Sequence, residues 1–142
     1  MIKPGTVSNQ MVSNYDFLNT LAEIVEGKTI INKDGVSYAK TLFGGKSKER
    51  DFTVYSSVMG PALVTKKGWK LRYFLKKDRF QLYFLPNGYK EENDLSSKYL
   101  KKTDSLKQIL FKACGNNWKN GFGRIKLKFK NQNVIFYITQ FN

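Results

Sequence analysis

Arg124, Lys126, Lys128 and Lys130 alternate with Ile125, Leu127 and Phe129 in the segment GRIKLKFK. An extended chain would place the four cations on one face and the three apolar side chains on the other. Alternate residues of a strand lie about 6.8 Å apart, near the spacing of successive phosphates on an extended single strand, so such a row can follow a polyanion. The segment WKLRYFLK repeats the arrangement, with Lys70, Arg72, Phe74 and Lys76 on one face and Trp69, Leu71, Tyr73 and Leu75 on the other. Phe74, Tyr83, Tyr137 and Trp118 interleave with these cations, and proteins that bind single strands combine a positive groove with aromatic platforms for base stacking. Each feature also has a purely structural reading. Lysine protects exposed sheet edges from unwanted pairing, and aromatic residues usually pack in a core.

A second stretch, TLFGGKSKER, contains Gly45-Lys46-Ser47, the end of a phosphate-binding loop. That motif needs a leading glycine five residues before Gly45, and a helix after it, so that backbone amides and the helix terminus can cradle phosphate oxygens. The leading position is Lys40, and KERDFTVYSS downstream reads as a charged turn entering a strand. The stretch is therefore expected to be a basic strand connection without nucleotide hydrolysis, in which Lys46, Lys48 and Arg50 can still touch a phosphate.

For catalysis the inventory is short. Histidine is absent, which removes imidazole acid–base chemistry, Ser-His-Asp triads and most zinc ligation. Glu91, Glu92 and Asp94 form the main acidic cluster, but they stand in the polar segment YKEENDLSSKYLKK, which reads as a solvated connection. Cys114, the single cysteine, has no neighbouring feature that would lower its pKa, and it excludes an internal disulfide. No catalytic residue, metal site or cofactor is expected from these residues. In CGNNWKNGFGR, Trp118 either faces a base or folds onto the core behind a helix cap at Gly115.

The elements that must position these groups follow from periodicity. Residues 1–12 contain Pro4 and Gly5 and show no period, which reads as a flexible arm. Ser13 and Asp16 resemble a capping box, and Leu18, Leu21, Ala22 and Val25 then recur at helical spacing until Gly27, which predicts a helix over 14–26. KTIINKDGVSYAKTLF carries a hairpin signal at Asp34-Gly35, and DFTVYSSVM suggests a third strand ending at a break around Gly60-Pro61. A further hairpin turns at Lys77-Asp78. A second helix is predicted from an N-cap at Thr103, through Leu106, Ile109, Leu110 and Ala113, to Gly115. A last hairpin turns near Asn131-Gln132.

With 142 residues and 15% aromatic content, one domain can bury a core. The expected fold is α+β, two helices packed on a largely antiparallel sheet of about six or seven strands, over 1–142 as a single domain. Lys and Arg outnumber Asp and Glu by 25 to 11, a net charge of +14 that points to an anionic partner. The function expected from this is noncatalytic binding of single-stranded or structured nucleic acid, or another polyanion, as in a phage or mobile-element accessory protein. The alternative is an inhibitor or sequestering protein of the anti-defence kind, holding a phosphorylated, nucleotide-like ligand or an acidic protein surface. No apolar run of about 18 residues is present to span a membrane, so a cytoplasmic location is expected. Exposed hairpin edges would admit a homodimer.

Overall fold

A computed structural model of the chain describes residues 2–29 and 34–121, and the backbone of Ile125–Phe129 and Gln132–Phe136. The chain divides into two compact units, Met1–Thr53 and Val54–Asn142.

The first unit contains helix α1 (Asp16–Glu26) and the single turn α2 (Ala39–Leu42). The Ser13–Asp16 pairing starts α1: the Ser13 N–H donates to Asp16 Oδ2 at 2.7 Å, and the Asp16 N–H to the Ser13 carbonyl at 3.0 Å. Gly27, at φ 72°, ends it. The side that α1 buries is polar, comprising Asp16, Asn19 and Thr20, while Leu18 and Val25 of the apolar stripe are 54% and 81% exposed.

The hairpin expected around Asp34-Gly35 is not formed by residues 36–43, because α1 rather than a partner strand satisfies the backbone there. Asp16 Oδ1 accepts the Val36 N–H at 2.8 Å, and Thr20 Oγ1 accepts the Tyr38 N–H at 3.1 Å. The chain then turns into α2. Its end also settles how Gly44 and Gly45 are used. Gly44 adopts φ 84° and donates to the Thr41 carbonyl at 3.2 Å, and Gly45 donates to the Lys40 carbonyl at 2.8 Å. These two bonds close a helix C-terminus. The glycines follow a helix, whereas a phosphate loop needs them to precede one.

The second unit is built on a four-stranded sheet in the order β1 (Phe52–Ser57), β2 (Gly60–Thr65), β3 (Trp69–Phe74) and β4 (Arg79–Phe84). Strands β2 and β3, and β3 and β4, pair antiparallel. Gly60-Pro61 opens β2, a strand that the break signal concealed. At φ 145° Gly60 passes so close to β3 that a Cβ would lie 2.1 Å from the Tyr73 carbonyl oxygen, so no other residue fits this entry. The β3–β4 turn falls at Asp78, which takes the left-handed conformation (φ 43°) tolerated by a short polar side chain.

Helix α3 (Leu100–Ala113) covers one face of this sheet. It begins a turn earlier than its predicted cap. The Thr103 N–H already has a helical partner in the Tyr99 carbonyl, and its buried hydroxyl donates to the carbonyls of Tyr99 and Ser96 at 3.1 and 3.2 Å. Leu106 and Leu110 pack on Val54, Leu63, Leu71, Tyr73 and Leu82, with Ile109 and Ala113 at the margin. Burial of each large aliphatic side chain contributes about 1.5–3 kcal/mol, which makes this the main store of stability in the unit.

Strands β5 (Ile125–Phe129) and β6 (Gln132–Phe136) pair antiparallel as a separate two-stranded sheet, with Leu127 opposite Val134. The α+β class is as expected, but among the described residues the strands are divided four and two instead of forming one sheet of six or seven. Of the two helices expected on the sheet, α3 is packed there and α1 belongs to the first unit.

Candidate functional site

Strand alternation gives the four-stranded sheet two chemically different faces. Leu71 stands opposite Leu63 and Leu82 and points to the α3 side, whereas Lys70 stands opposite Val64 and Tyr83, and Arg72 opposite Ala62 and Gln81. Directly opposed residues share a face. The second face therefore carries Lys70, Arg72 and Phe74 together with Tyr83, as the period of two required.

The carboxylate of Glu91 completes the cluster. Glu91 itself adopts φ 56° and reaches over the sheet to accept from Lys70 Nζ through Oε1 and from Arg72 Nη1 through Oε2, the latter at 2.7 Å. The Lys70 ammonium lies 5.3 Å from the Tyr55 ring centroid and the Arg72 guanidinium 4.9 Å from that of Phe74, within cation–π range. Burial opposes ionisation of Glu91, but hydrogen bonds from Lys70 and Arg72 outweigh it and hold its carboxyl below the ordinary value. Burial likewise opposes charge on Lys70, and its bonds to Glu91 and Tyr55 outweigh that and raise it. Glu91 and Lys70 are thereby both held in their charged forms, and with the Arg72 guanidinium two cations share one carboxylate and one positive charge is left over. The second Arg72 nitrogen, Nη2, meets the Met59 thioether at 3.6 Å, a weak acceptor that an oxyanion would outcompete.

Asp94 is equally committed to structure. Its Oδ1 accepts the N–H groups of Leu82 and Ser96 at 3.1 and 2.9 Å, its Oδ2 pairs with Arg79 at 3.1 Å, and the neighbouring Leu95 N–H donates to the Leu82 carbonyl at 2.7 Å. The segment expected to be a solvated connection is thus fastened along β4, both satisfying and covering its outer edge.

The remaining predicted residues are dispersed. Lys76 stands exposed in the turn Leu75–Lys77, beyond the end of β3. Arg50 is held as a structural partner of buried Asp16: it donates to Asp16 Oδ1 and, at 2.5 Å, to the Tyr15 hydroxyl, with its guanidinium 4.8 Å from the Tyr15 ring centroid. Lys46 and Lys48 are exposed beside a cleft of the first unit. Trp118 folds onto the core, its ring 4.6 Å from Tyr73 and 4.8 Å from Phe111, so its indole serves packing. Lys126 and Lys128 occupy alternate positions of β5, where only the backbone is described; Arg124 and Lys130, like Tyr137, lie outside the described residues. Cys114 is buried, and burial pushes its thiol up to about 11, which keeps it protonated.

Sequence reasoning read Asp16 correctly as a helix cap but missed its bonds to Val36 and Arg50, and it took Glu91 and Asp94 only as parts of a solvated connection. Glu91 and Asp94 carried one local signal, scarcity: a chain with so few acids places three of them, Glu91, Glu92 and Asp94, within the EEND run.

The second unit is therefore an α+β module with a helix on one face of an antiparallel sheet and a basic, aromatic-flanked ion cluster on the other. Solved structures that share the fold include a 2-O glycosaminoglycan sulfatase (TM-score 0.58, 24% identity, covering 71% of this chain and 24% of that one). A protein assigned to the sulfatases from Bacteroides thetaiotaomicron matches with a TM-score of 0.59, 24% identity and the same coverage of 71% and 24%. A third, from glycosaminoglycan metabolism in Bacteroides thetaiotaomicron, matches with a TM-score of 0.55 and 20% identity, covering 68% of this chain and 24% of its own. The likeness is one of fold, and the matched region spans about a quarter of the length of each of these proteins. No protein-family model matches the sequence, and no curated protein matches it.

These likenesses correct two expectations. The fold occurs within sulfatases, which overturns the reading of a noncatalytic nucleic-acid-binding or anti-defence protein of phage or mobile-element type. The expectation that the chain is no enzyme falls with it, since sulfatases are enzymes. Charge alone could not separate nucleic acid from other polyanions, because phosphate and sulfate esters attract lysine and arginine by the same Coulomb term. Among the described residues no helix is long and apolar enough to cross a membrane.

Proposed function

We propose that the chain is a substrate-binding unit of a sulfatase-type enzyme acting on a sulfated glycan. The observation that carries this reading is the shared fold with sulfatases, two of them tied to glycosaminoglycans. The net charge of +14 supports it, because a sulfated glycan is a polyanion whose sulfate esters stay ionised across the whole physiological range.

In this reading the second face of the sheet holds the glycan. A sulfate oxygen takes Arg72 Nη2 in place of the Met59 sulfur, Lys70 adds its charge, and Phe74 and Tyr55 supply apolar ring faces against which a sugar can lie. Glu91 keeps both cations extended and oriented before the ligand arrives, which lowers the ordering cost of binding. Lys70 and Arg72 bind and orient. The attack on the sulfate ester is assigned to the remainder of such an enzyme.

The test is a titration of the protein with chondroitin 6-sulfate and with desulfated chondroitin. Sulfated chains should bind in a salt-sensitive manner and desulfated chains about tenfold or more weakly. Arg72→Gln should weaken the sulfated chain about tenfold, the loss of one charge-assisted hydrogen bond, without moving the thermal midpoint by more than a few degrees. Equal binding of the two chains, or full affinity in a folded Arg72→Gln protein, would overturn the reading.

A further inference from the structure

The first unit contains a second basic site that the sheet cluster does not involve. Its inner wall is the polar side of α1. Asn19 Nδ2 donates to the Gly35 carbonyl at 2.5 Å, which, with the Asp16 and Thr20 bonds to Val36 and Tyr38, pins residues 35–38 against the helix. Gly35 is needed for this approach, since a Cβ there would lie 2.3 Å from the Tyr15 carbonyl oxygen. The outer wall is the end of α2 and the loop beyond it. There the Thr41 N–H donates to Ser47 Oγ at 3.0 Å and the Ser47 N–H to Thr41 Oγ1 at 3.3 Å, while the Gln10 amide donates to the Lys48 carbonyl at 3.2 Å.

Between these walls lies a cleft of about 330 Å³. Among the described residues Lys40, Lys46 and Lys48 line it with Glu23 as the one acid, so three ammonium groups against one carboxylate leave a net charge of +2 on that lining. Ser37 Oγ accepts the Ala39 N–H and Ser47 Oγ the Thr41 N–H, so each hydroxyl keeps its proton to donate. The volume is at the small end of ligand sites, which run from about 300 to 1,000 Å³, and the lining is polar except for Val36. A polar, cationic cleft of this size suits one sugar-sized ring bearing an anionic ester, and it is too small and too polar for a lipid chain.

We propose that this cleft binds an oxyanion monoester of a single sugar-sized molecule. Its anionic group would sit among Lys40, Lys46 and Lys48, with its ring hydroxyls on Ser37 and Ser47. Sulfate and phosphate esters share this chemistry. The loop first singled out for its Gly-Lys-Ser sequence thus contributes to anion binding through its lysines, and no nucleotide hydrolysis is implied.

Calorimetric titration of the full chain with galactose 6-sulfate, galactose 6-phosphate and galactose tests the proposal. At least one ester should bind with Kd at or below about 1 mM, and galactose about tenfold or more weakly. The ester bound more tightly identifies which anion the site takes. Lys46→Gln/Lys48→Gln should weaken that ester about tenfold, and Glu23→Gln should tighten it a few-fold, with unchanged thermal unfolding confirming the fold in each case. The exposed pair Lys101→Gln/Lys102→Gln on α3 removes the same charge elsewhere and should leave the affinity within about twofold. Failure of both esters to bind, equal binding of galactose, or equal losses from the two lysine pairs would overturn the proposal. None of these variants alters Lys70 or Arg72, and Arg72→Gln should leave ester binding at the cleft within about twofold, which separates this outcome from that of the chondroitin titration.

Discussion

Helices α1 and α3 share one sequence pattern and have opposite fates. Both repeat apolar residues at three- and four-residue intervals, yet α3 buries Leu106 and Leu110 in the core while α1 buries Asp16, Asn19 and Thr20 and leaves Phe17, Leu18, Leu21, Ile24 and Val25 exposed. The difference lies in what each helix meets. α3 meets an apolar sheet face, whereas α1 meets a length of backbone, residues 35–38, whose N–H and C=O groups need partners. A buried backbone amide without a partner costs about 1–3 kcal/mol, comparable with the gain from burying one leucine, so a polar helix side is the better match for an irregular segment.

The comparison breaks most visibly at Asp16. Its carboxylate serves the Ser13 and Val36 N–H groups and the Arg50 guanidinium while itself buried. Asp16→Ala would leave those donors unmatched and is expected to cost about 3–5 kcal/mol, read as faster hydrogen exchange at the Val36 amide. A wild-type exchange rate at Val36 in the variant would mean that α1 does not hold this segment.

Next in size is the contrast between the two stripes. Leu110→Ala should lower the urea unfolding free energy by about 2–5 kcal/mol, and Val25→Ala on α1 by less than about 0.5 kcal/mol. Similar losses from both would show that the stripe of α1 is covered after all.

The smallest effect is a pH dependence that separates the two faces of the sheet. Glu91 and Asp94 have lowered carboxyl pKa values in the folded chain, so their contribution is complete above the unfolded values near about 4 and is lost as pH falls through the folded ones. On the core side the sign reverses. Burial first, and then Asp78, push the Tyr73 phenol up to about 12, so its contribution is complete below the unfolded value of about 10 and is lost between there and about 12. Tyr73→Phe should flatten the alkaline limb of a stability–pH profile and leave the acid limb unchanged, whereas Glu91→Gln should flatten the acid limb and, because Lys70 loses the partner that raises it, part of the alkaline limb as well.

Legibility from sequence followed the range of the interaction. The glycine that stops each longer helix, the aspartate at the β3–β4 turn and the alternation that separates Lys70 and Arg72 from Leu71 and Tyr73 were all readable, because each depends on backbone preference or side-chain direction within a few residues. Gly60-Pro61 misled for the same reason. The pair is a break signal locally, and only the nearness of the Tyr73 carbonyl shows why glycine is needed inside a strand. Gly44-Gly45 was read as part of a strand connection, and the single turn α2 that it closes is too short to leave a period of its own in the sequence.

The sequence by itself determined the α+β class, the amphipathic stripes, the cationic character of one strand face and the lack of an internal disulfide, since these follow from composition and period. Only the tertiary structure decided the partner of each stripe, the four-and-two division of the strands, and the seating of Glu91 between Lys70 and Arg72. Those choices depend on groups about 20 residues or more apart in the chain meeting at hydrogen-bond distance. Chain closure selects such meetings among many alternatives of similar local energy, and no short stretch of residues encodes them.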